Sequence, residues 1–256
     1  MSGNLLKASR HLAVALAAFV LSAQAHAQDI PRLPSGKPDF SGVWQTLSEA
    51  DYDLEPHVGR RDAPPGQGVV AEGKIPYLPE ALELRQDNYE NRMQDDPRLK
   101  CWSLGVPRSV YHPTPFQVFQ RDSDLTLIHR LGHQTRTIHT NGSLHPEDGE
   151  ELWMGDSRGK WEGDTLVVDV DDFNAETWLD RAGNFHSEDL HVVERWSFVD
   201  KDTIAYSATL EDPQVFSASW TINVLLHRRR DPGFVLIEDY CQTLEYDQFY
   251  PHKGDK

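Results

Sequence analysis

The sequence predicts an all-β fold: an antiparallel up-and-down barrel with an irregular N-terminal wrap and one helix. Two observations support this prediction. From residue 117 onward, one segment after another alternates apolar and polar side chains with a period of two, which is typical of strands that bury one face. The turns between most of these segments are short and polar, as in a β-meander.

The clearest strand pair lies within residues 152–170, on either side of a turn at Glu162-Gly163. If Trp161 pairs with Asp164, large apolar side chains share one face of the hairpin and charged side chains share the other. The apolar face then holds Trp153, Trp161, Leu166, Val168 and Val170, and the charged face holds Asp156, Arg158, Lys160 and Asp169. A sheet with one dry face and one wet face is typical of the wall of an antiparallel barrel or sandwich.

The remaining elements follow in chain order. Residues 28–75 are rich in Pro and Gly and predict irregular wrapping, with a first strand at 39–45. A helix is predicted at 79–94, because Pro79 suits a first helical turn and a partial apolar stripe follows it: Ala81, Leu82, Leu84, Tyr89 and Met93. Residues 101–115 predict an extended, Pro-rich segment. Strands are predicted at 117–121, 125–131, 134–140, 151–161, 164–171, 191–199, 203–210, 218–228 and 234–241, with longer connections at 141–150 and 172–190.

Residues 1–27 have the pattern of a secretory signal peptide. Lys7 and Arg10 give a positively charged n-region, and a short apolar run follows at 11–21. Ala25-His26-Ala27 then fits the A-x-A cleavage rule. We therefore expect cleavage near Ala27 and a periplasmic or secreted protein. No membrane insertion is expected, because the apolar run is shorter than the roughly 20 residues of a membrane span.

Residues 28–256 are expected to form a single barrel domain, with the wrap and helix in 28–116 and the main strand meander in 117–241. Removal of the signal peptide takes away two of the 25 basic residues and no acidic one, which leaves 23 against 41 and a net charge of −18. Such an acidic chain disfavours nucleic acid and anionic lipid as partners.

The chain has two cysteines, Cys101 and Cys241. In an oxidising compartment a disulfide between them is the favoured interpretation, and a reactive thiol is the alternative. A disulfide would join the segment before the first barrel hairpin to the last predicted strand.

Gly42-Val43-Trp44 is similar to the G-x-W opening of lipocalin-type barrels. The chain more closely resembles a family of uncharacterised secreted bacterial proteins with a W-E-G-D-T-L-V-V block. The matching segments cover most of the mature chain: PDFSGVW (38–44), GVPR (105–108), MGDSRGKWEGDTLVVD (154–169), FNAETWLD (173–180), GNFHSE (183–188), ER (194–195) and DP (212–213). The resemblance implies a family and a compartment, but not a reaction.

The chain departs from that family's pattern at three places. Asn141 and Ser143 stand where the family usually reads D-G-R, and Arg130 stands where it tends to carry Glu. After Cys241 the chain reads Q-T-L-E, where the family tends to read H-E-G-N. A ligand or reaction of the relatives therefore need not carry over to this chain.

The hairpin around Gly132-His133 supplies the first candidate residues. With Gly132 at the first turn position, Leu131 would pair with Gln134 and His129 would face Arg136. The face they share is otherwise apolar, with Leu125, Leu127 and Ile138. We expect His129 and Arg136 to anchor an oxygen atom of a bound molecule, with His129 as proton carrier. The alternative is a pair near a barrel end that bonds to water or to a neighbouring acid.

The connection 172–190 supplies a second set of candidates. Asp180 and His186 would form an acid/base dyad at the barrel mouth, with Asp180 fixing the tautomer of His186 and with Trp178 and Phe185 covering the substrate. The alternative is that Asp180 and His186 only tether the loop.

Glu194 is a third candidate, because it shares a strand face with Val192, Trp196 and Phe198. A carboxylate among aromatic rings predicts a general acid or base, and an ion pair with an arginine such as Arg136 is the alternative. Five tryptophans are expected to contact the substrate, with simple core filling as the alternative: Trp153, Trp161, Trp178, Trp196 and Trp220.

No metal or other cofactor is expected. His129, His133, His139 and His145 lie close in sequence, but the predicted register puts His129 and His139 on opposite faces and His133 in the turn. Two function classes follow. The first is a cofactor-independent periplasmic acid/base enzyme (a lyase, isomerase or hydratase) that acts on a small aromatic or hydrophobic molecule, with a lignin-derived aromatic as one candidate. The second is a non-catalytic periplasmic carrier of a hydrophobic ligand.

Overall fold

The computed structural model describes residues 30–132, 134–147, 149–237, 239 and 241. The predicted signal peptide at 1–27 therefore lies outside the described residues. Strands of the described chain close into a barrel, which confirms the predicted fold class. They are β1 (Gly42–Thr46), β2 (Phe116–Gln120), β3 (Asp124–His129), β4 (Thr135–His139), β5 (Asp156–Glu162), β6 (Thr165–Asp171), β7 (His191–Asp200), β8 (Thr203–Glu211) and β9 (Trp220–Arg228).

One strand pair departs from the predicted antiparallel meander. All neighbouring pairs of the barrel are antiparallel except β4 and β5, which run parallel with Ile138 opposite Ser157. The strand predicted to begin at residue 151 begins at Asp156. The connection between His139 and Asp156 therefore runs back along the barrel before β5 starts, as a parallel pairing requires.

The β5–β6 hairpin has a different register from the predicted one. Trp161 pairs with Leu166 rather than with Asp164, and the two turn residues are Gly163 and Asp164. Gly163 has a φ of +61°, which the first position of such a turn favours. A slip of two residues leaves every side chain on its own face. Trp161 on β5 and Leu166, Val168 and Val170 on β6 therefore share the inner face as predicted.

The N-terminal wrap covers one end of the barrel. The ring of Phe40 is fully buried and stacks on Trp161 and Phe198, with centroid separations of 5.9 and 4.8 Å. Arg32 adds an ion pair to Asp164 in the β5–β6 turn, with 2.7 Å between Nη2 and Oδ2. The wrap is thus anchored at the end where the β5–β6 turn lies.

The other end is covered by long connections. A one-turn helix, α2 (Arg108–Tyr111), lies in the segment that the sequence predicts as extended, so that prediction is wrong there. The Tyr111 hydroxyl donates a 2.6 Å hydrogen bond to the carbonyl of Leu179 in the connection between β6 and β7. The two connections therefore close this end together.

The predicted helix at 79–94 is confirmed as α1 (Pro79–Asp95). The predicted strand at 234–241 is not formed over residues 234–237, and Asp239 makes a single bridge to Leu131. The predicted disulfide is confirmed between Cys101 and Cys241, whose Cα atoms are 5.7 Å apart. Within the described parts of the chain, no helix has the length and apolarity needed to cross a membrane.

Candidate functional site

A buried ion pair lies in the middle of the barrel. Arg136 on β4 and Glu194 on β7 form two parallel hydrogen bonds, with Nη1–Oε1 at 3.0 Å and Nη2–Oε2 at 2.6 Å. Tyr206 donates a further 2.6 Å hydrogen bond to Glu194, and Arg136 Nε donates to Ser157 Oγ at 3.0 Å. The ion-pair alternative for Glu194 is therefore the one that forms. Tyr206 and Ser157 were not among the candidate residues, because a Tyr or Ser on a strand carries no sequence signal of its partner.

His129 lies beside this ion pair, on the same inner face of the barrel. Arg136 stands opposite Leu127 and not opposite His129, so the predicted pairing of the hairpin is shifted by two residues. The imidazole of His129 is 3% exposed. Burial, reinforced by the positive charge of Arg136, lowers the pKa of His129 to about 3, which leaves the ring neutral at pH 7.

The Nε2 atom of His129 has no hydrogen-bond partner among the described residues. The ring packs against Phe116 at 5.2 Å between centroids, and Phe116 packs against Trp196 at 6.4 Å. The Nε1 atom of Trp196 is also buried without a partner in the described chain, and so is the hydroxyl of Ser109 on α2. A buried polar atom left unpaired costs about 1–3 kcal/mol, so such atoms usually face water or a ligand.

The predicted dyad of Asp180 and His186 is not formed. Asp180 accepts hydrogen bonds from the backbone of Leu54, Ala182 and Asn184 and from the side-chain amide of Asn184, at 2.6 to 3.1 Å. The two nitrogens of His186 instead contact the hydroxyl of Thr177 at 2.7 Å and the carbonyl of Ser187 at 2.8 Å. Both side chains therefore tether the loop. Burial lowers the pKa of the His186 imidazole. Burial and the negative charge of Asp53 raise the pKa of the Asp180 carboxyl group to about 7.

The five candidate tryptophans lie in different surroundings. Trp196 and Trp220 are buried on inner strand faces, and Trp161 stacks on Phe40 at the end that the N-terminal wrap covers. Trp178 is buried in the connection after β6, where its carbonyl accepts a hydrogen bond from Arg108. Trp153 does not lie on the predicted strand face, because β5 begins only at Asp156; it is 37% exposed, with its ring 5.4 Å from that of Trp102.

Among the described residues, no group of three or more His, Cys, Asp or Glu side chains is arranged to hold a metal ion. His129 faces the interior, whereas His145 contacts Asp156 and Asp169 on the outer face. His133 lies outside the described residues. The histidines that are neighbours in sequence are thus separated by the barrel wall.

Of the predicted acid/base residues, Arg136, Glu194, Asp180 and His186 all make hydrogen bonds to other side chains. His129 differs, because its Nε2 atom has no hydrogen-bond partner in the described chain. A neutral imidazole nitrogen accepts a hydrogen bond, while an indole N–H donates one and a hydroxyl does either. Such groups among buried aromatic rings suit a small planar molecule that carries a hydroxyl or carbonyl group. Comparison with models of known protein families and with curated proteins finds no match for this chain.

Proposed function

We propose that this protein is a periplasmic carrier that binds a small aromatic molecule inside its barrel, with a hydroxyl group of that molecule donating to His129. The observation that supports the proposal is the buried, neutral imidazole whose Nε2 lacks a partner among the described residues. A phenol-type hydroxyl would remove the cost of this unpaired nitrogen, and the surrounding rings of Phe116 and Trp196 would pack on the aromatic ring.

The saturated ion pair favours binding over catalysis. Glu194 and Arg136 already satisfy each other, and Asp180 and His186 are engaged in the loop. A general base works best when its pKa lies near the working pH, whereas burial holds that of His129 at about 3. A weakly basic nitrogen is still a good acceptor of a hydrogen bond, which is what a carrier needs.

The second candidate is the acid/base enzyme, of the lyase, isomerase or hydratase type, acting on a small aromatic molecule without a cofactor. It is favoured by the surroundings of His129, a desolvated imidazole that packs against Phe116 and lies near the charge of Arg136. An anionic substrate bound there would raise the pKa of His129 toward neutrality. His129 would then carry the proton, and Arg136 would stabilise developing negative charge.

A pair of matched ligands tests the binding proposal. Phenol and toluene have similar rings, but toluene has no hydroxyl to donate. We expect tryptophan fluorescence titrations to show tighter binding of phenol by the wild-type protein, and an equal affinity for both ligands in His129→Phe. The control is His191→Phe, which replaces a partly exposed histidine on the outer face and should keep the preference. Equal binding of both ligands by the wild type, or no binding of either, contradicts the proposal.

Turnover separates the two candidates. The wild type and His129→Ala are incubated with a panel of hydroxylated lignin-type aromatics, and the products are measured by mass spectrometry. A carrier retains the ligand unchanged in both proteins. A product that forms with the wild type but not with His129→Ala, while binding persists, supports the enzyme.

A further inference from the structure

A cluster of three arginines lies outside the barrel interior, near the end covered by α2. Arg108 is buried and uses its guanidinium on two carboxylates, with Nε–Asp51 Oδ1 at 2.9 Å and Nη2–Asp96 Oδ2 at 3.1 Å. The second oxygen of Asp51 accepts a 2.6 Å hydrogen bond from Nε of Arg181. Both carboxylates are thus occupied by Arg108 and Arg181.

The third arginine, Arg98, has a side-chain nitrogen that lacks a hydrogen bond among the described residues. Its Nε lies 3.5 Å from Asp96 Oδ2, but the atom is buried and makes no hydrogen bond within the described chain. Burial and the nearby charge of Arg181 lower the pKa of Arg98. Asp96 provides a nearby countercharge, but a buried N–H donor that makes no hydrogen bond is costly.

The charge count of the cluster is positive. Arg98, Arg108 and Arg181 face two carboxylates, Asp51 and Asp96. Burial lowers the pKa of the adjacent His112 to about 4, so its ring adds no charge at pH 7 and takes none away. This excess of one positive charge contrasts with the net charge of −16 of the whole chain.

Arg98 and Arg181 line a crevice that opens toward solvent. Its volume is about 20 Å³, and Asp62, Arg92, Met93, Asp96 and Leu99 complete its walls. Arg92 and Asp62 neutralise each other there through hydrogen bonds of 2.8 and 3.3 Å. A water-sized group needs about 10–15 Å³, so this space admits one oxygen of a carboxylate while the rest of that group lies at the mouth of the crevice.

We propose that this crevice binds a carboxylate group, which pairs with the guanidinium of Arg98 and with the outer nitrogens of Arg181. The planar fork of a guanidinium matches a carboxylate, and the small volume favours a flat group over a tetrahedral oxyanion. The ligand would supply the one negative charge that the cluster lacks. This site is separate from the barrel interior and does not depend on the function proposed above.

Formate is the probe, because it is a carboxylate with no further group. The thermal unfolding midpoint of the full chain is measured against formate, sulfate and chloride concentration at matched ionic strength. We expect formate to raise the midpoint saturably in the wild type and not in Arg98→Gln. Arg195→Gln is the control, because Arg195 pairs with Glu162 on the exposed outer face and its loss changes the net charge equally.

A second variant covers the case in which Arg98→Gln fails to fold. Arg98→Lys keeps the charge but loses the planar fork, so we expect the dissociation constant for formate to rise about tenfold, the factor that 1.4 kcal/mol represents. Three results overturn the proposal: an unsaturable effect of formate in the wild type, the same saturable effect in Arg98→Gln, or tighter binding of sulfate or chloride than of formate.

Discussion

Glu194 on β7 and Arg136 on β4 are joined across two intervening strands by a bidentate ion pair inside the barrel. Glu194→Ala should lower the free energy of unfolding by about 3–5 kcal/mol, because it leaves a buried guanidinium without its countercharge. Urea denaturation followed by tryptophan fluorescence measures the change. Glu162→Ala removes a carboxylate that pairs with Arg195 at the surface and serves as the control. If both variants unfold at the same urea concentration, the buried pair does not stabilise the barrel.

His129 should make stability depend on pH. Burial lowers its pKa from 6.5 to about 3, so between these values the unfolded chain binds a proton that the folded chain does not. Stability therefore falls as pH decreases through this window, by up to about 1.4 kcal/mol per pH unit. His129→Phe should show a shallower fall between about pH 6 and pH 4, with the slope due to His112 remaining. His191→Phe is the control, and an unchanged slope in His129→Phe would refute the assignment.

Side-chain alternation predicts which residues face the interior but not which residues are paired. In both hairpins the observed register differs by two residues from the predicted one, and a shift of two keeps the face. His129 and Arg136 were therefore correctly placed on one inner face, although they do not stand opposite each other. The face of a side chain is a local property of the strand, whereas the register depends on the turn that forms.

The contacts of the candidate site depend on segments far apart in sequence, which local patterns do not describe. The sequence pattern predicts Asp180 as the partner of His186, six residues away, yet Asp180 accepts a hydrogen bond from the backbone of Leu54. The parallel pairing of β4 with β5 likewise depends on how the connection after His139 crosses the barrel. Trp153 follows the apolar pattern of its neighbours, but β5 begins only after it. Long-range contacts of this kind are set by the tertiary structure, so the local sequence pattern does not predict them.

The disulfide should contribute a large share of stability. Cys101 and Cys241 are 140 residues apart, and in the chain-entropy model closing so long a loop stabilises by up to about 5 kcal/mol. We expect Cys101→Ser/Cys241→Ser to unfold at a lower urea concentration than the oxidised wild type. Dithiothreitol should lower the midpoint of the wild type to that of the double variant and leave the double variant unchanged. A midpoint of the wild type that does not respond to reduction would contradict the expected contribution.

Asp180 should act on stability through its hydrogen bonds to the loop. Its carboxylate accepts from three backbone N–H groups and from the amide of Asn184, all buried. Asp180→Ala leaves these donors unpaired, and a single buried unsatisfied group costs about 1–3 kcal/mol. Asp180→Asn keeps one acceptor oxygen, so urea midpoints should fall in the order wild type, Asp180→Asn, Asp180→Ala. Asp189→Ala, at an exposed carboxylate that accepts from Gln214, is the control and should unfold like the wild type. If Asp180→Ala also unfolds like the wild type, the carboxylate does not hold the loop in place, and that result would favour the acid/base interpretation of Asp180.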